Sequence, residues 1–165
     1  MNYADIKPCD MNNGEGLVVS LWVSGCPFKC EGCHNSIAWD KDFGKPFTDE
    51  TKQYLFDLLS DTRVDLGLSI LGGEPLAPYN YITILGLVKE VKQKFPNKKI
   101  WLWTGYSIHQ IRFLSILDYV DVIVDGKYQK DHKDEATWWR GSTNQNMYEV
   151  KHSDFGVECL TVVQA

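Results

Sequence analysis

The segment LVVSLWVSGCPFKCEGC, residues 17–33, joins a predicted strand directly to a group of cysteines. Its first part, residues 17–24, is short, apolar and rich in β-branched side chains, which is typical of a buried strand. Gly25 ends that strand, and three of the five cysteines of the chain follow within eight positions. The chemistry of this chain is therefore expected at the carboxyl end of this strand.

The rest of the chain alternates predicted strands with predicted helices. Apolar residues recur at helical spacing after the cap residue Thr48, between residues 79 and 95, and from Ser107 to Leu117. Further short apolar strands are predicted at residues 68–75, 99–105, 120–126 and 158–163. This alternation indicates βαβ units and a parallel sheet.

The length of the chain limits the possible architectures. It has 165 residues, whereas a complete eight-unit β/α barrel needs about 200 or more. We therefore predict one α/β domain over residues 1–165, built as a partial TIM-like β/α barrel with mostly parallel strands. Ligands of such folds bind beyond the carboxyl ends of the strands. The segments at the ends of the predicted strands are therefore expected to meet at one rim of the sheet. These segments are GCPFKCEGC, GGEP, TGY and DGKY.

The charge and hydropathy of the chain argue against nucleic-acid binding and against a membrane protein. The formal net charge is −5 and no stripe of Lys or Arg is present, so nucleic-acid binding is not expected. No apolar run approaches the roughly 18 residues that span a bilayer, and the first ten residues lack the pattern of a signal peptide. We expect a cytoplasmic protein without a membrane partner, in which clustered cysteines indicate metal or redox chemistry.

The cysteines follow a C-x3-C-x2-C spacing at Cys26, Cys30 and Cys33. Thiolates are soft ligands that suit iron–sulfur clusters and zinc. Three thiolates on one short loop can bind three irons of a [4Fe–4S] cluster. The fourth iron would then be open to a substrate or cofactor.

Two other interpretations of the cysteines stay open on spacing alone. A zinc site would need a fourth ligand, for instance His34, Cys9 or Cys159. A thioredoxin-like redox pair of Cys30 and Cys33 would leave Cys26 unexplained.

The order of the motifs resembles a known family. C-x3-C-x2-C after one strand and Gly-Gly-Glu-Pro after the next are the mark of radical S-adenosylmethionine (SAM) enzymes. Within that superfamily, NGEG, VSGC, GCHN, LGGEPL, WLWTGY, VDGKY and GSTNQ occur in order over residues 13–145. This set resembles the activating proteins of anaerobic ribonucleoside-triphosphate reductases, which are small glycyl-radical activases. One departure from the superfamily is Gly32, where many members carry an aromatic residue.

The resemblance implies a cluster and a reaction. Cys26, Cys30 and Cys33 would ligate a [4Fe–4S] cluster, and its open iron would bind the amino and carboxylate groups of SAM. Reductive cleavage of SAM would give methionine and a 5′-deoxyadenosyl radical, which would take a hydrogen from a glycine of the reductase. The chain would thus be a radical SAM oxidoreductase that activates its partner by forming a glycyl radical.

The resemblance also implies individual binding residues. Gly72, Gly73 and Glu74 match the stretch that holds the SAM amino group. Glycines let backbone approach a ligand closely, and a carboxylate accepts hydrogen bonds from an ammonium. The residues expected to contact SAM from the cysteine loop are Gly32, Cys33 and His34.

Asp125 and Lys127 resemble a D-x-K pair that lines the site of related activases, and both are expected to be catalytic. The alternative for this pair is an ordinary turn at a strand end with a surface ion pair, which contributes little stability. Further along the chain, Trp138, Trp139 and Arg140 form an aromatic and basic group of a kind that interfaces favour.

The implied partners are the large subunit of the reductase and an external one-electron donor such as reduced flavodoxin. Two other functions remain as alternatives. The chain would be a zinc-binding structural or adaptor module, or a short radical SAM enzyme with a different substrate.

Overall fold

The computed structural model describes residues 1–61, 67–153 and 156–163. Within these residues the helices are α1 (Asp49–Leu59), α2 (Pro78–Lys94) and α3 (Ile108–Ile111). The strands are β1 (Asn2–Asp10), β2 (Val18–Val23), β3 (Lys45–Pro46), β4 (Gly67–Gly72), β5 (Ile100–Trp103), β6 (Val122–Asp125), β7 (Asn146–Ser153) and β8 (Gly156–Val162). Of the helices in this part of the chain, none has the length and apolar character that crossing a membrane requires.

The described strands form one mixed sheet in the order β3-β1-β2-β4-β5-β6-β7-β8. The four central strands, β2, β4, β5 and β6, run parallel to one another. The strands outside them pair antiparallel. The predicted α/β class is therefore confirmed. The prediction of mostly parallel strands holds for the centre of the sheet, whereas the four described pairings outside it are antiparallel. The narrower prediction of a partial TIM-like barrel stays a prediction, because strand order alone does not fix how far the sheet curves.

The central strands agree with the sequence prediction but are shorter. Strand β4 ends at Gly72, so residues 73–75 belong to the connection to α2. The predicted late strand at 158–163 is found as β8. The helix predicted from Ser107 to Leu117 divides into α3 and a separate 3-10 turn at Ser115–Asp118.

The helices begin and pack as their sequences predict. The Thr48 side chain accepts a hydrogen bond from the Thr51 backbone N–H at the start of α1. The buried faces of α1 and α2 pack with the apolar side chains of β2, β4 and β5 in the main core; they include Leu55, Leu59, Ile84, Val88 and Val91. The opposite face of the sheet carries a second apolar cluster around Trp101, Val124 and Met147.

The register of the parallel strands brings their carboxyl ends to one edge. Val23 pairs with Gly72 at the ends of β2 and β4, and Trp103 pairs with Val124 near the ends of β5 and β6. The segments that follow these four strands therefore share one rim of the sheet.

Candidate cofactor and active site

A cavity of about 350 Å³ lies at this rim, and we call it the rim cavity. It is lined by residues from all four strings that the sequence predicted to meet, together with residues 12–13 and 139–145. The predicted site residues among them are Cys26, Cys30, Cys33, His34, Gly72, Gly73, Glu74 and Lys127. Gly32 and Asp125 are not among the lining residues.

The cysteine loop is attached to the 3-10 turn that follows it. Gly25 and Cys26 donate their backbone N–H groups to Ala38 and Trp39 carbonyls at 2.8 and 3.1 Å. The loop then closes on itself, because the Cys33 N–H donates to the Cys30 carbonyl at 3.1 Å. These bonds hold the three thiols against the cavity.

The three thiols are free and partly buried. Burial raises the pKa of both Cys26 and Cys30; at Cys30 the neighbouring Cys33 adds to this shift and the Lys127 charge opposes it. A metal centre would therefore displace protons when it binds here.

Within the described residues, no three His, Cys, Asp or Glu side chains converge on a single point that one metal ion could occupy. The side chain of Cys159, one fourth ligand considered for zinc, lies outside the described part of the chain.

Glu74 joins three strand ends. Its carboxylate is only 1% exposed and accepts hydrogen bonds from the Leu76 N–H, the Thr104 hydroxyl and the Gly105 N–H at 2.7–2.8 Å. Its own backbone N–H donates to the Gly25 carbonyl at 2.7 Å. A carboxylate has about four acceptor positions, and three of those of Glu74 are taken by protein donors. At most one therefore remains for the amino group of SAM, which the sequence analysis expected Glu74 to bind.

Burial of Glu74 raises the pKa of its carboxyl from 4.5 to about 7, although the Gly105, Leu76 and Thr104 hydrogen bonds act in the opposite direction. Between these two values the folded protein holds a proton that the unfolded chain has released. Stability contributed by this group is therefore lost as the pH rises from about 4.5 through 7, by on the order of 3 kcal/mol.

This pH dependence can be measured against a matched variant. We expect the urea-unfolding free energy of the reduced, metal-free wild type to fall between pH 5 and pH 8 relative to that of Glu74→Gln, by on the order of 3 kcal/mol. The variant controls for every other group that titrates in this range. A difference between the two proteins that stays constant with pH would contradict the raised pKa.

Two glycines let backbone and rings approach closely at the rim. A Cβ on Gly73 would lie 2.5 Å from the Gly25 carbonyl oxygen, and a Cβ on Gly105 would overlap the Phe28 ring. The Gly73 N–H also donates to the Val23 carbonyl at 2.7 Å. The ends of β2 and β4 therefore touch through backbone atoms, without a side chain between them.

The D-x-K residues occupy different positions. Lys127 lines the rim cavity, with its Nζ 4.8 Å from the centre of the Phe28 ring. Asp125 is buried and accepts hydrogen bonds from the Ile108 N–H at 2.6 Å and from Asn146 at 3.2 Å. Its carboxylate thus holds α3 and β7 in place, rather than facing the cavity.

Of the other two predicted SAM contacts in the cysteine loop, His34 lines the rim cavity and Gly32 does not. His34 lies edge-on to Trp22, with 6.2 Å between ring centres. Gly32 packs against the side chain of Lys130, which forms an ion pair with Glu31 at 2.9 Å.

Two further segments contribute lining residues, Asn12 with Asn13 and the stretch 139–145 through Trp139, Arg140, Gly141 and Gln145. Sequence analysis assigned no cofactor role to either segment, although Trp139 and Arg140 belong to the aromatic and basic group predicted as a possible interface. The first is held by buried Asp10, which accepts from the Asn12 N–H and the Asn13 side chain. The second is held by Gln145, which donates to the Gly126 carbonyl at 2.8 Å. Asn13 begins the string NGEG and residues 141–145 form the string GSTNQ, so both segments belong to the family resemblance.

Comparisons with known proteins show which family this chain resembles. The chain matches a family model described as a 4Fe-4S single cluster domain over residues 12–148. It is 48% identical over 148 residues to the anaerobic ribonucleoside-triphosphate reductase-activating protein of Enterobacteria phage T4, covering 90% of this chain and 94% of the relative. Proteins of the same name from Pasteurella multocida and Escherichia coli K12 are 41% and 40% identical, over 90% and 92% of this chain and 97% and 100% of theirs.

Proposed function

Because the chain belongs to the family of anaerobic ribonucleoside-triphosphate reductase-activating proteins, we propose that it activates such a reductase by forming a glycyl radical on it. The reaction is reductive cleavage of SAM at a [4Fe–4S] cluster. The observation that carries this proposal is that three free thiols share one cavity with the glycine-lined end of β4.

The residues of the rim cavity are chemically suited to hold a [4Fe–4S] cluster and SAM. Three free thiols on one short loop are a suitable donor set for an iron–sulfur cluster. At the end of β4, Gly73 has no side chain and packs directly on the Gly25 backbone, so its main-chain atoms are accessible to an amino group bound beside Glu74. Lys127 supplies a positive charge for a carboxylate.

In this proposal each part of the chain has one task. Cys26, Cys30 and Cys33 hold three irons of the cluster. When bound there, the reduced cluster and SAM would supply the radical chemistry, namely one-electron reductive cleavage of the sulfonium followed by hydrogen abstraction from a glycine of the reductase. Glu74 holds the ends of β2, β4 and β5 around the cavity, and its remaining acceptor position is available to the amino group of SAM.

The other residues orient the bound SAM. Gly72 and Gly73 present backbone to the amino group, and Lys127 binds the carboxylate. His34 contacts SAM from the cysteine loop, and Gly32 gives that loop its turn, with φ +73°. Asp125 acts as a positioning residue, because it fixes the end of β6 from which Lys127 projects.

The partners follow from this chemistry. The hydrogen donor is the large subunit of an anaerobic ribonucleoside-triphosphate reductase, and an external donor such as reduced flavodoxin supplies the electron. We further propose that residues 1–165 act as one radical SAM domain in the cytoplasm.

Metal content and SAM cleavage test the proposal together. Protein reconstituted without oxygen is expected to hold about four irons and four sulfides per chain and to release 5′-deoxyadenosine from SAM and a strong reductant. One zinc without sulfide would instead support the adaptor alternative. Cleavage of SAM without radical formation on the reductase would support a radical SAM enzyme with another substrate.

Lys127→Ala is expected to keep the cluster but to lose SAM handling. A charged hydrogen bond contributes about 1.5–3 kcal/mol, so we expect SAM to bind about 10- to 100-fold more weakly. Iron content and a SAM titration by calorimetry of the reconstituted protein would measure both. Lys130→Ala is the matched control, because this lysine pairs with Glu31 outside the rim cavity. Wild-type affinity in Lys127→Ala would remove Lys127 from the site.

A further inference from the structure

A second concavity adjoins the rim cavity, and we call it the outer cleft. It has a volume of about 410 Å³ and is lined by Met11, Asn12 and residues 135–139. Asn12 and Trp139 line both spaces. A molecule seated in the outer cleft is therefore next to the rim cavity.

The outer cleft exposes two large apolar side chains. Trp138 is 68% exposed and Met11 is 74% exposed. Tryptophan and methionine are enriched in protein interfaces, and a tryptophan is among the residues that most often dominate binding energy. The neighbouring tryptophans are less exposed than Trp138. Trp101 is buried, and Trp139 packs against it with 5.1 Å between the ring centres.

The backbone around the outer cleft is fixed before any partner binds. Trp139 has a positive φ of 59°, which is unusual for a bulky residue. Its carbonyl accepts a hydrogen bond from the Trp103 indole N–H at 2.9 Å, and the Thr137 hydroxyl donates to the Asp134 and Arg140 carbonyls. A surface ordered in advance loses less conformational entropy on binding.

Arg140 provides hydrogen-bond donors where the two spaces adjoin. It follows Trp139 in the chain and lines the rim cavity. One guanidinium N–H group donates to the Gln145 carbonyl at 3.3 Å, while the buried Nε has no partner among the described residues. An extended polypeptide that enters the rim cavity brings backbone carbonyls, which need such donors.

We propose that the outer cleft is the docking surface for the glycine-bearing segment of the reductase, with Trp138 and Met11 as apolar anchors and Arg140 as the donor at its inner end. This inference rests on the proposed function, which requires a polypeptide backbone to reach the rim cavity from solvent. The outer cleft adjoins that cavity, exposes apolar side chains and leads to Arg140, whose Nε–H has no partner among the described residues. Those are the features that an extended segment with a small glycine at its centre can use.

The test measures binding of the cognate reductase to the cluster-loaded protein by biolayer interferometry under anaerobic conditions. Trp138→Ala and Met11→Glu are each expected to weaken this binding about 10- to 100-fold. Both side chains are mainly exposed, so both variants should fold, and circular dichroism checks this. Phe113→Ala is the matched control, because Phe113 is 83% exposed and lies outside both spaces; it should bind as the wild type does.

Three outcomes would overturn the docking surface. These are wild-type affinity in both cleft variants, an equal loss in Phe113→Ala, and a change only in self-association by sedimentation, which would make the cleft an interface between copies of this chain. SAM cleavage by the wild-type protein alone is measured in parallel. Its absence would reject the proposed function, whereas its presence with unchanged reductase binding in the variants would reject only the docking surface.

Discussion

Cys30→Ala is expected to remove iron and sulfide from the protein and to abolish SAM cleavage at the same time. Cys30 is one of the three thiols that line the rim cavity in the described part of the chain, and a cluster with two protein ligands would expose a second iron to solvent. We expect the iron content after anaerobic reconstitution to fall from about four per chain to near zero. Iron and sulfide analysis, with chromatography of 5′-deoxyadenosine, measures both quantities.

Cys9→Ala provides the matched control for this substitution. Cys9 is a free, exposed cysteine on β1, so its loss removes a thiol without removing one from the rim cavity. This variant should retain the full iron content and the full rate of SAM cleavage. A Cys30→Ala protein that keeps about four irons and cleaves SAM would reject the assignment of the cluster ligands.

Gly73→Ala is expected to destabilise the fold and to abolish SAM cleavage. The new Cβ would lie 2.5 Å from the Gly25 carbonyl oxygen and 3.0 Å from that of Val23. Both contacts are to backbone, so the end of β4 must move away from the cysteine loop. We expect a loss of about 3 kcal/mol of unfolding free energy, measured by urea denaturation, together with loss of SAM cleavage.

Gly86→Ala is the control for a glycine-to-alanine change in the same connection between β4 and β5. Gly86 lies within α2, and no atom lies within 4 Å of a Cβ built there. Alanine at this position should raise the unfolding free energy by up to about 1 kcal/mol and leave SAM cleavage unchanged. If Gly73→Ala were as stable and active as Gly86→Ala, the contact between the two strand ends would not be required.

The parallel centre of the fold was predictable because its strands are buried on both faces. β2 and β4 consist of apolar, β-branched or small residues, so they stand out from the flanking sequence without an alternating pattern. β1 and β7 were not predicted, because they lack a continuous buried apolar run. They are largely exposed and carry polar residues, as in NMYEVKHS, and their strand structure comes from pairing with β2 and β6.

The position of the candidate site was predictable because reactive or ligand-binding residue types follow the predicted strands directly. Cysteine spacing and the paired glycines identified the segments that line the rim cavity, because parallel strands place their carboxyl ends together. The orientation of side chains was not predictable. Asp125 in DGKY bonds to Ile108 and Asn146, and Glu74 bonds to Thr104 and Gly105; these contacts depend on tertiary packing between segments distant in sequence.

In the proposed reaction, a radical derived from SAM takes hydrogen from a glycine of another protein. Electron paramagnetic resonance tests it most directly, on an anaerobic mixture of the reconstituted protein, SAM, a strong reductant and the reductase. The account predicts a doublet from a glycine-centred radical that requires all four components and collapses to a narrow signal when the reductase carries α-deuterated glycine. An organic radical that deuterated glycine leaves unchanged, or no radical while 5′-deoxyadenosine accumulates, would contradict it.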